Sequence, residues 1–181
     1  DLAEKILNKT IDALGDKDKI VELRLKIAEY YGKCGDNITA AKRCKQIAGD
    51  FPDSILYGKV ISYYFAYLAR QLKAKEILTE IDSVLESPSC QGYLSQLMYL
   101  KWWALRKTNQ QILAEKIGEQ LIEDYGGNPN IAPILLAHAT DALSNQQYEK
   151  CRQLLVRLTK DFPETNSARQ AQKILVRLGR K

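Results

Sequence analysis

The sequence is poor in residues that bind metals. It contains one histidine, His138, and its four cysteines, Cys34, Cys44, Cys90 and Cys151, lie far apart. Zinc sites of the common kinds need several such ligands at short paired spacings, so we expect no metal site. A chain of 181 residues can bury a large apolar core without cross-links. We therefore expect no disulfide framework and four free thiols.

Motifs for membranes, nucleotides and catalysis are also missing. No apolar run approaches the roughly 18 residues that span a bilayer, and no leader peptide is recognisable. Because the chain starts at Asp1, we expect it to be a trimmed piece of a longer protein. Neither glycine-rich phosphate motif occurs, and Gly126-Gly127 suits the end of a helix. We expect no cofactor, no small-molecule substrate and no enzymatic activity. His138 and Cys151 could touch as base and nucleophile, but no oxyanion hole or orienting carboxylate accompanies them.

What the sequence does contain is helical periodicity. The ten glycines and five prolines cluster at turns. The segments between them are 12–16 residues long, with apolar residues three and four apart and no sustained alternation. This pattern predicts an all-α chain.

Residues 21–54 form the clearest unit, a predicted helix–turn–helix. Gly35 suits the left-handed residue that ends the first helix. Asp36 or Asn37 can cap the second helix, and Pro52 cannot continue it. The small residues Ala28 and Ala40 allow the two helices to approach closely.

These residues, with Tyr31, resemble the tetratricopeptide repeat. The resemblance implies a right-handed α-solenoid of antiparallel helix pairs, a TPR-like superhelix in one array. We expect a half repeat at residues 1–15, repeats at 18–52, 55–88, 91–129 and 131–163, and a capping helix at 165–179. HEAT repeats have a similar period but lack the Gly-Asp turn and the pair of small residues, so we rank them second.

The interval between repeats can be estimated from two sets of positions. The second small positions, at 40, 74, 114 and 151, are 34, 40 and 37 residues apart. The closing prolines, at 52, 88, 129 and 163, are 36, 41 and 34 apart. Both sets fit a 34-residue unit with insertions. Ser62 and Ala74 take the small positions of the second pair. Trp102 should push the helices of the third pair apart.

The stretch from Phe162-Pro163 to Lys173 resembles the closing segment of bacterial envelope proteins, for example the periplasmic partner of the Tol–Pal system and the outer-membrane assembly lipoproteins. The resemblance implies a bacterial scaffold of the periplasm or cell envelope, with the cytoplasm as the alternative.

Two surfaces are candidates for binding. In the tetratricopeptide family, set positions of each first helix face a concave groove. The resemblance places there an aromatic surface with flanking basic residues: Lys59, Tyr63, Tyr67, Tyr99, Trp103 and Arg106. Alternatively, half of these aromatic residues belong to the core. The second surface is a basic stripe on the last helix, made by Arg169, Lys173 and Arg177. No aromatic residues alternate with this stripe, which argues against nucleic acid as the partner.

We therefore predict a non-catalytic scaffold that binds a protein or peptide in its groove. One alternative is a structural module that self-associates or links arrays within a longer protein. The other is an accessory protein whose basic end binds an anionic partner.

Overall fold

The computed structural model describes Lys9 and residues 15–179, and this part of the chain contains helices and no strands. The predicted all-α class is confirmed. The expected half repeat at 1–15 falls almost entirely outside the described residues. The α-helices of the described chain are α1 (Lys17–Lys33), α2 (Asn37–Asp50), α3 (Tyr57–Arg70), α4 (Ala74–Leu85), α5 (Leu94–Lys107), α6 (Gln111–Asp124), α7 (Ile131–Ser144), α8 (Tyr148–Asp161) and α9 (Asn166–Leu178). A 3-10 helix, Pro88–Tyr93, precedes α5.

The chain forms two compact units that divide between Gln110 and Gln111. In unit 1, α1 packs on α2, α2 on α3, and α4 on α5. Its core includes the fully buried Leu25, Phe65, Ile77, Ile81 and Leu97. In unit 2, α7 packs on α6 and α8, and α9 packs on α7 and α8. Its fully buried side chains include Leu121, Ile134, Leu135, Leu155 and Leu158. Neighbouring helices along the chain therefore pack together within each unit.

Four turns with the same backbone geometry recur along the chain. Each contains one residue in the left-handed region, with φ of 86° at Gly35, 60° at Leu72, 59° at Asn109 and 60° at Gln146. Each of these residues follows the previous one by 37 positions. The helices that follow them begin at residues 37, 74, 111 and 148, again 37 apart.

The hydrogen bonds of the four turns also correspond. In the first, the N–H of Gly35 donates to Gly32 O (3.2 Å) and the N–H of Asp36 donates to Tyr31 O (3.0 Å). The same two bonds occur at Leu72 and Lys73, at Asn109 and Gln110, and at Gln146 and Gln147. This is the Schellman arrangement, which satisfies carbonyls at a helix C-terminus. The role predicted for Gly35 is confirmed, and three non-glycine residues adopt the same conformation elsewhere.

The interval of 37 residues changes the predicted alignment of the helix pairs. A 34-residue unit with insertions put Ser62 and Ala74 in the positions of Ala28 and Ala40. With the interval of 37, those positions belong to Phe65 and Ile77, both fully buried. Trp102 is the next equivalent of Ala28 and is 5% exposed. Two of the four pairs therefore hold a large aromatic residue where a small one was expected, so Trp102 is not an isolated exception.

Side-chain caps fix several helix starts. The Asp16 carboxylate accepts hydrogen bonds from the N–H groups of Asp18 (3.1 Å) and Lys19 (3.3 Å) at the start of α1. The Asp36 carboxylate accepts from Thr39 N (3.0 Å), so Asp36 rather than Asn37 caps α2. Thr165 caps α9, because its hydroxyl accepts from Ala168 N (3.1 Å). Short polar side chains at these places satisfy backbone donors that lack a partner within the helix.

The connection before α5 differs from the other connections between pairs. After α2, α6 and α8, a backbone N–H donates to the carbonyl oxygen three residues earlier: Ser54 to Phe51, Asn128 to Tyr125 and Thr165 to Phe162. After α4, the 3-10 helix replaces this turn and packs directly against Gly58 of α3. A Cβ at position 58 would collide with the carbonyl oxygen of Ser89 and would lie 2.8 Å from the Tyr93 ring. A glycine is therefore required for this close approach.

The cysteines give a prediction for thiol chemistry. Cys44, Cys90 and Cys151 are buried and Cys34 is exposed, and all four are free in the structure. Burial raises the pKa of the Cys44 thiol to about 12, so almost none of it is thiolate near neutral pH. We expect one thiol to react quickly with a colorimetric thiol reagent in the native protein and four to react after unfolding without reductant. Fewer than four in the unfolded protein would reveal a disulfide.

Candidate functional site

The helices α1 and α3 meet through residues that were expected to line a groove. The Glu29 carboxylate lies near the Tyr63 hydroxyl and, after burial, contributes to raising its pKa. Gly32 of α1 lies against the Tyr67 ring, and a Cβ at Gly32 would be 2.7 Å from the Tyr67 hydroxyl oxygen. These two contacts lie one turn apart on both helices. The structure therefore brings part of the predicted face of α3 close to α1.

Tyr67 is a packing residue rather than part of an open surface. It is 3% exposed and belongs to the core of unit 1. Burial raises its pKa to about 12, and the Arg70 guanidinium lies 5.3 Å from its ring centroid. The placement of Tyr67 in an exposed groove therefore needs correction. It lies inside because Gly32 leaves room for its ring.

Tyr63 remains partly accessible to solvent. It is half-buried, and its ring centroid is 6.1 Å from that of Tyr67, with the planes tilted by 42°. Burial and the nearby Glu29 carboxylate raise its pKa, so its hydroxyl is a neutral hydrogen-bond donor at physiological pH. Lys59, one turn earlier on α3, is half-buried. Its charge adds to the larger effect of Lys26 in lowering the pKa of Glu22 on α1.

On α5 the candidate residues surround Trp102. Tyr99 is half-buried and stacks on Trp102, with ring centroids 5.6 Å apart and an interplanar angle of 28°. The Arg106 guanidinium lies 5.8 Å from the Trp102 ring. Trp103 is half-buried, and the Lys107 ammonium lies 6.0 Å from its ring. Arginine and lysine attract aromatic faces at such distances. Trp102 therefore packs against Tyr99 and Arg106, while Trp103 is partly exposed.

Three of the four predicted aromatic residues thus remain partly exposed. Tyr63, Tyr99 and Trp103 all pack on the one core cluster of unit 1, and their helices α3 and α5 contact each other. With the interval of 37, Tyr99 corresponds to Ser62 and Trp103 to Ala66, so the two helices do not present their aromatics at equivalent positions. We name Tyr63, Tyr99 and Trp103, with Lys59 and Arg106 beside them, the aromatic surface.

Two residues beside this surface were not among its predicted members. One is Glu29 of α1, whose carboxylate lies near the Tyr63 hydroxyl and helps to raise its pKa. The other is Tyr93. It lies at the end of the 3-10 helix against Gly58, and its hydroxyl contributes to the raised pKa of Tyr63. The available signal was Gly58, since a glycine inside a helix commonly marks a close approach.

The buried Tyr67 and Cys44 predict loss of stability at high pH. Their ordinary pKa values of 10.0 and 9.0 are both raised to about 12 in the folded protein. Each contributes stability that is complete below its ordinary pKa and is lost as the pH rises towards 12. We expect the free energy of unfolding, measured in urea, to fall from pH 9 to pH 12. Tyr67→Phe should reduce that fall, whereas Tyr148→Phe at an exposed tyrosine should not. Equal pH dependence in all three proteins would contradict the burial of the Tyr67 hydroxyl.

The remaining predicted residues lie in unit 2. Arg169, Lys173 and Arg177 are all exposed on α9, as expected for the basic stripe. Cys151 is fully buried, and burial raises the pKa of its thiol, which disfavours the thiolate that a nucleophile needs. His138 lies against α6, where a Cβ at Gly118 would be 2.7 Å from its Nε2 atom. The environment of Cys151 is that of a packing residue.

Two further findings concern ligands and membranes. Within the described part of the chain, no three side chains of histidine, cysteine, aspartate or glutamate gather into a possible metal site. None of the helices described for this chain combines the length and apolar character needed to cross a bilayer.

Comparisons of the chain with known protein families, with curated proteins and with solved structures find no match.

Proposed function

We propose that this protein is a non-catalytic scaffold that binds a peptide or a helix of another protein on the aromatic surface of unit 1. The observation that carries this proposal is the partial exposure of Tyr63, Tyr99 and Trp103 on the neighbouring helices α3 and α5. Tyrosine, tryptophan and arginine dominate the energetics of protein interfaces, because they combine large apolar area with a polar group.

The proposal includes the architecture that the sequence suggests, a TPR-like right-handed superhelix of helix pairs. Support comes from the recurrence of one turn geometry every 37 residues, which is the mark of a repeat protein. The proximity of Glu29 to Tyr63 and of Gly32 to Tyr67 is consistent with this architecture, in which first helices of consecutive pairs are neighbours.

The chemistry of the surface defines the ligand. It combines the partly exposed rings of Tyr63, Tyr99 and Trp103 with two partly exposed cations, Lys59 and Arg106. A complementary peptide has apolar side chains with an aspartate or glutamate among them. The aromatic contacts would supply most of the affinity, and the two cations would orient the peptide.

Selection of a random peptide library displayed on phage against the whole chain tests this function. We expect enriched peptides that combine apolar residues with at least one acidic residue, and weaker binding of those peptides to Lys59→Glu. A matched control is Lys160→Glu, which reverses the charge at an exposed lysine in unit 2. Failure to enrich any peptide, or enrichment of peptides that bind both variants as well as the wild type, would contradict the proposal.

A further inference from the structure

The basic stripe of unit 2 has the regularity of a docking surface. Arg169, Lys173 and Arg177 recur every four residues on α9, and this helix contains no acidic residue. Four residues of α-helix rise about 6 Å, so the three cations span about 12 Å along one side of the helix. All three are exposed, and in the part of the chain that the structure describes none of them forms an ion pair.

A matching acidic stripe lies on another helix of the same unit. Glu115, Glu119 and Glu123 also recur every four residues, on α6, and all three are exposed. Lys116 borders this face and is the one basic residue of α6. In the described part of unit 2, no ion pair connects the two stripes. The two surfaces therefore have equal numbers of charges, equal spacing and opposite sign.

Each stripe also has an exposed apolar neighbour. Ile112, one turn before Glu115, is 84% exposed, and Val176, beside Arg177, is 56% exposed. Apolar side chains within a charged face can exclude water from ion pairs when another surface covers them.

We propose that unit 2 mediates self-association, with the acidic stripe of one molecule docking on the basic stripe of a second copy. An antiparallel arrangement of α6 on α9 pairs Glu115 with Arg177, Glu119 with Lys173 and Glu123 with Arg169. It also brings Val176 to within about 6 Å of Ile112 along the helix axis, whereas a parallel arrangement would separate them by about 15 Å. An unrelated anionic partner would account for the basic stripe alone. A second copy accounts for both stripes.

The proposed contact is heterologous and weak. It joins two different surfaces, so each molecule can bind one neighbour through α6 and another through α9, which gives chains or closed rings. Exposed ion pairs contribute little individually and are screened by salt. The association is therefore weak, concentration-dependent and sensitive to ionic strength.

Sedimentation equilibrium of the whole chain provides the first test. In 20 mM salt, the weight-average mass should rise above that of the monomer as the concentration increases from micromolar to millimolar. In 300 mM salt the dissociation constant should be at least about tenfold weaker, because the Debye length falls below the span of the stripes. A monomer at every concentration in low salt would overturn the proposal, even if the protein bound another anionic partner.

Charge exchange between variants provides the second test. One variant carries Glu115→Lys, Glu119→Lys and Glu123→Lys, and the other carries Arg169→Glu, Lys173→Glu and Arg177→Glu. Each variant alone presents like charges on both surfaces and should remain monomeric. An equimolar mixture restores opposite charges at every contact and should associate.

The pairing would be contradicted if each variant alone associated as strongly as the wild type. It would also be contradicted if the mixture stayed monomeric. Circular dichroism checks that both variants keep the helical signal of the wild type. Should either fail to fold, the corresponding glutamine substitutions replace it and should still lower the mass in low salt. The aromatic surface is not part of this contact, so Trp103→Ala should associate as the wild type does.

Discussion

Phe65→Ala should lower the free energy of unfolding by about 3–5 kcal/mol, the largest change expected for a single substitution in this chain. Phe65 is 0% exposed in the core of unit 1. Its ring lies 5.1 Å from the ring of Tyr64, and the planes are tilted by 46°. Removing the ring leaves a cavity that the surrounding helices can close only in part, so both transfer free energy and packing contacts are lost. Urea unfolding followed by circular dichroism measures the change.

Tyr30→Ala is the matched control for this substitution. Tyr30 is also a helical aromatic residue of unit 1, but it is 65% exposed. Its truncation should change the free energy of unfolding by less than about 0.5 kcal/mol. A cost for Phe65→Ala as small as that of the control would contradict the complete burial of Phe65 in the core of unit 1.

Gly58→Ala should destabilise the protein by about 2–3 kcal/mol, because the added methyl group meets backbone that cannot rotate away. The first obstacle is the carbonyl oxygen of Ser89 in the 3-10 helix, and the Tyr93 ring lies 2.8 Å from the position of the new carbon. Alanine favours helix over glycine by at most about 1 kcal/mol, which is too little to offset the clash. Thermal and urea unfolding both measure the effect.

Gly49→Ala separates the clash from helix propensity. Gly49 is an exposed residue of α2, and a Cβ built there meets no atom within 4 Å apart from its chain neighbours and the backbone of its own helix. That variant should be as stable as the wild type or more stable by up to about 1 kcal/mol. If Gly58→Ala were stabilising too, the close packing of the 3-10 helix on α3 would be refuted.

The helices could be predicted from sequence because their signals are local. Glycine at position 35 and aspartate at position 36 mark one turn unambiguously, and the structure has the expected left-handed residue and cap there. The interval of 37 residues could not be predicted from the sequence, because the positions equivalent to Gly35 hold Leu72, Asn109 and Gln146. A leucine or glutamine at a left-handed position gives no sequence signal, since glycine is the residue that usually occupies it.

The candidate site was less predictable because an aromatic residue suits both a core and a binding surface. Tyr63 and Tyr67 lie one turn apart on α3, yet the first is half-buried and the second is 3% exposed. What separates them is a contact with α1, where Gly32 leaves room for the Tyr67 ring. This contact joins residues 35 positions apart, so periodicity within α3 could not reveal it.

The proposed function and the proposed self-association depend on different units and can fail independently. Peptide binding requires Tyr63, Tyr99 and Trp103 in unit 1, whereas self-association requires the stripes of α6 and α9 in unit 2. If both hold, an assembly would present several peptide-binding surfaces, and its avidity would exceed the affinity of one molecule.

Binding of a selected peptide to Trp103→Ala tests the central claim most directly. Isothermal titration should show a loss of about 2 kcal/mol, or roughly 30-fold in affinity, with the helical circular-dichroism signal unchanged. Tyr148→Ala, which truncates an aromatic residue of unit 2 that is 54% exposed, serves as the control and should bind as the wild type does. Unchanged affinity in Trp103→Ala, or unfolding of that variant, would show that Trp103 serves packing alone and that the peptide binds elsewhere.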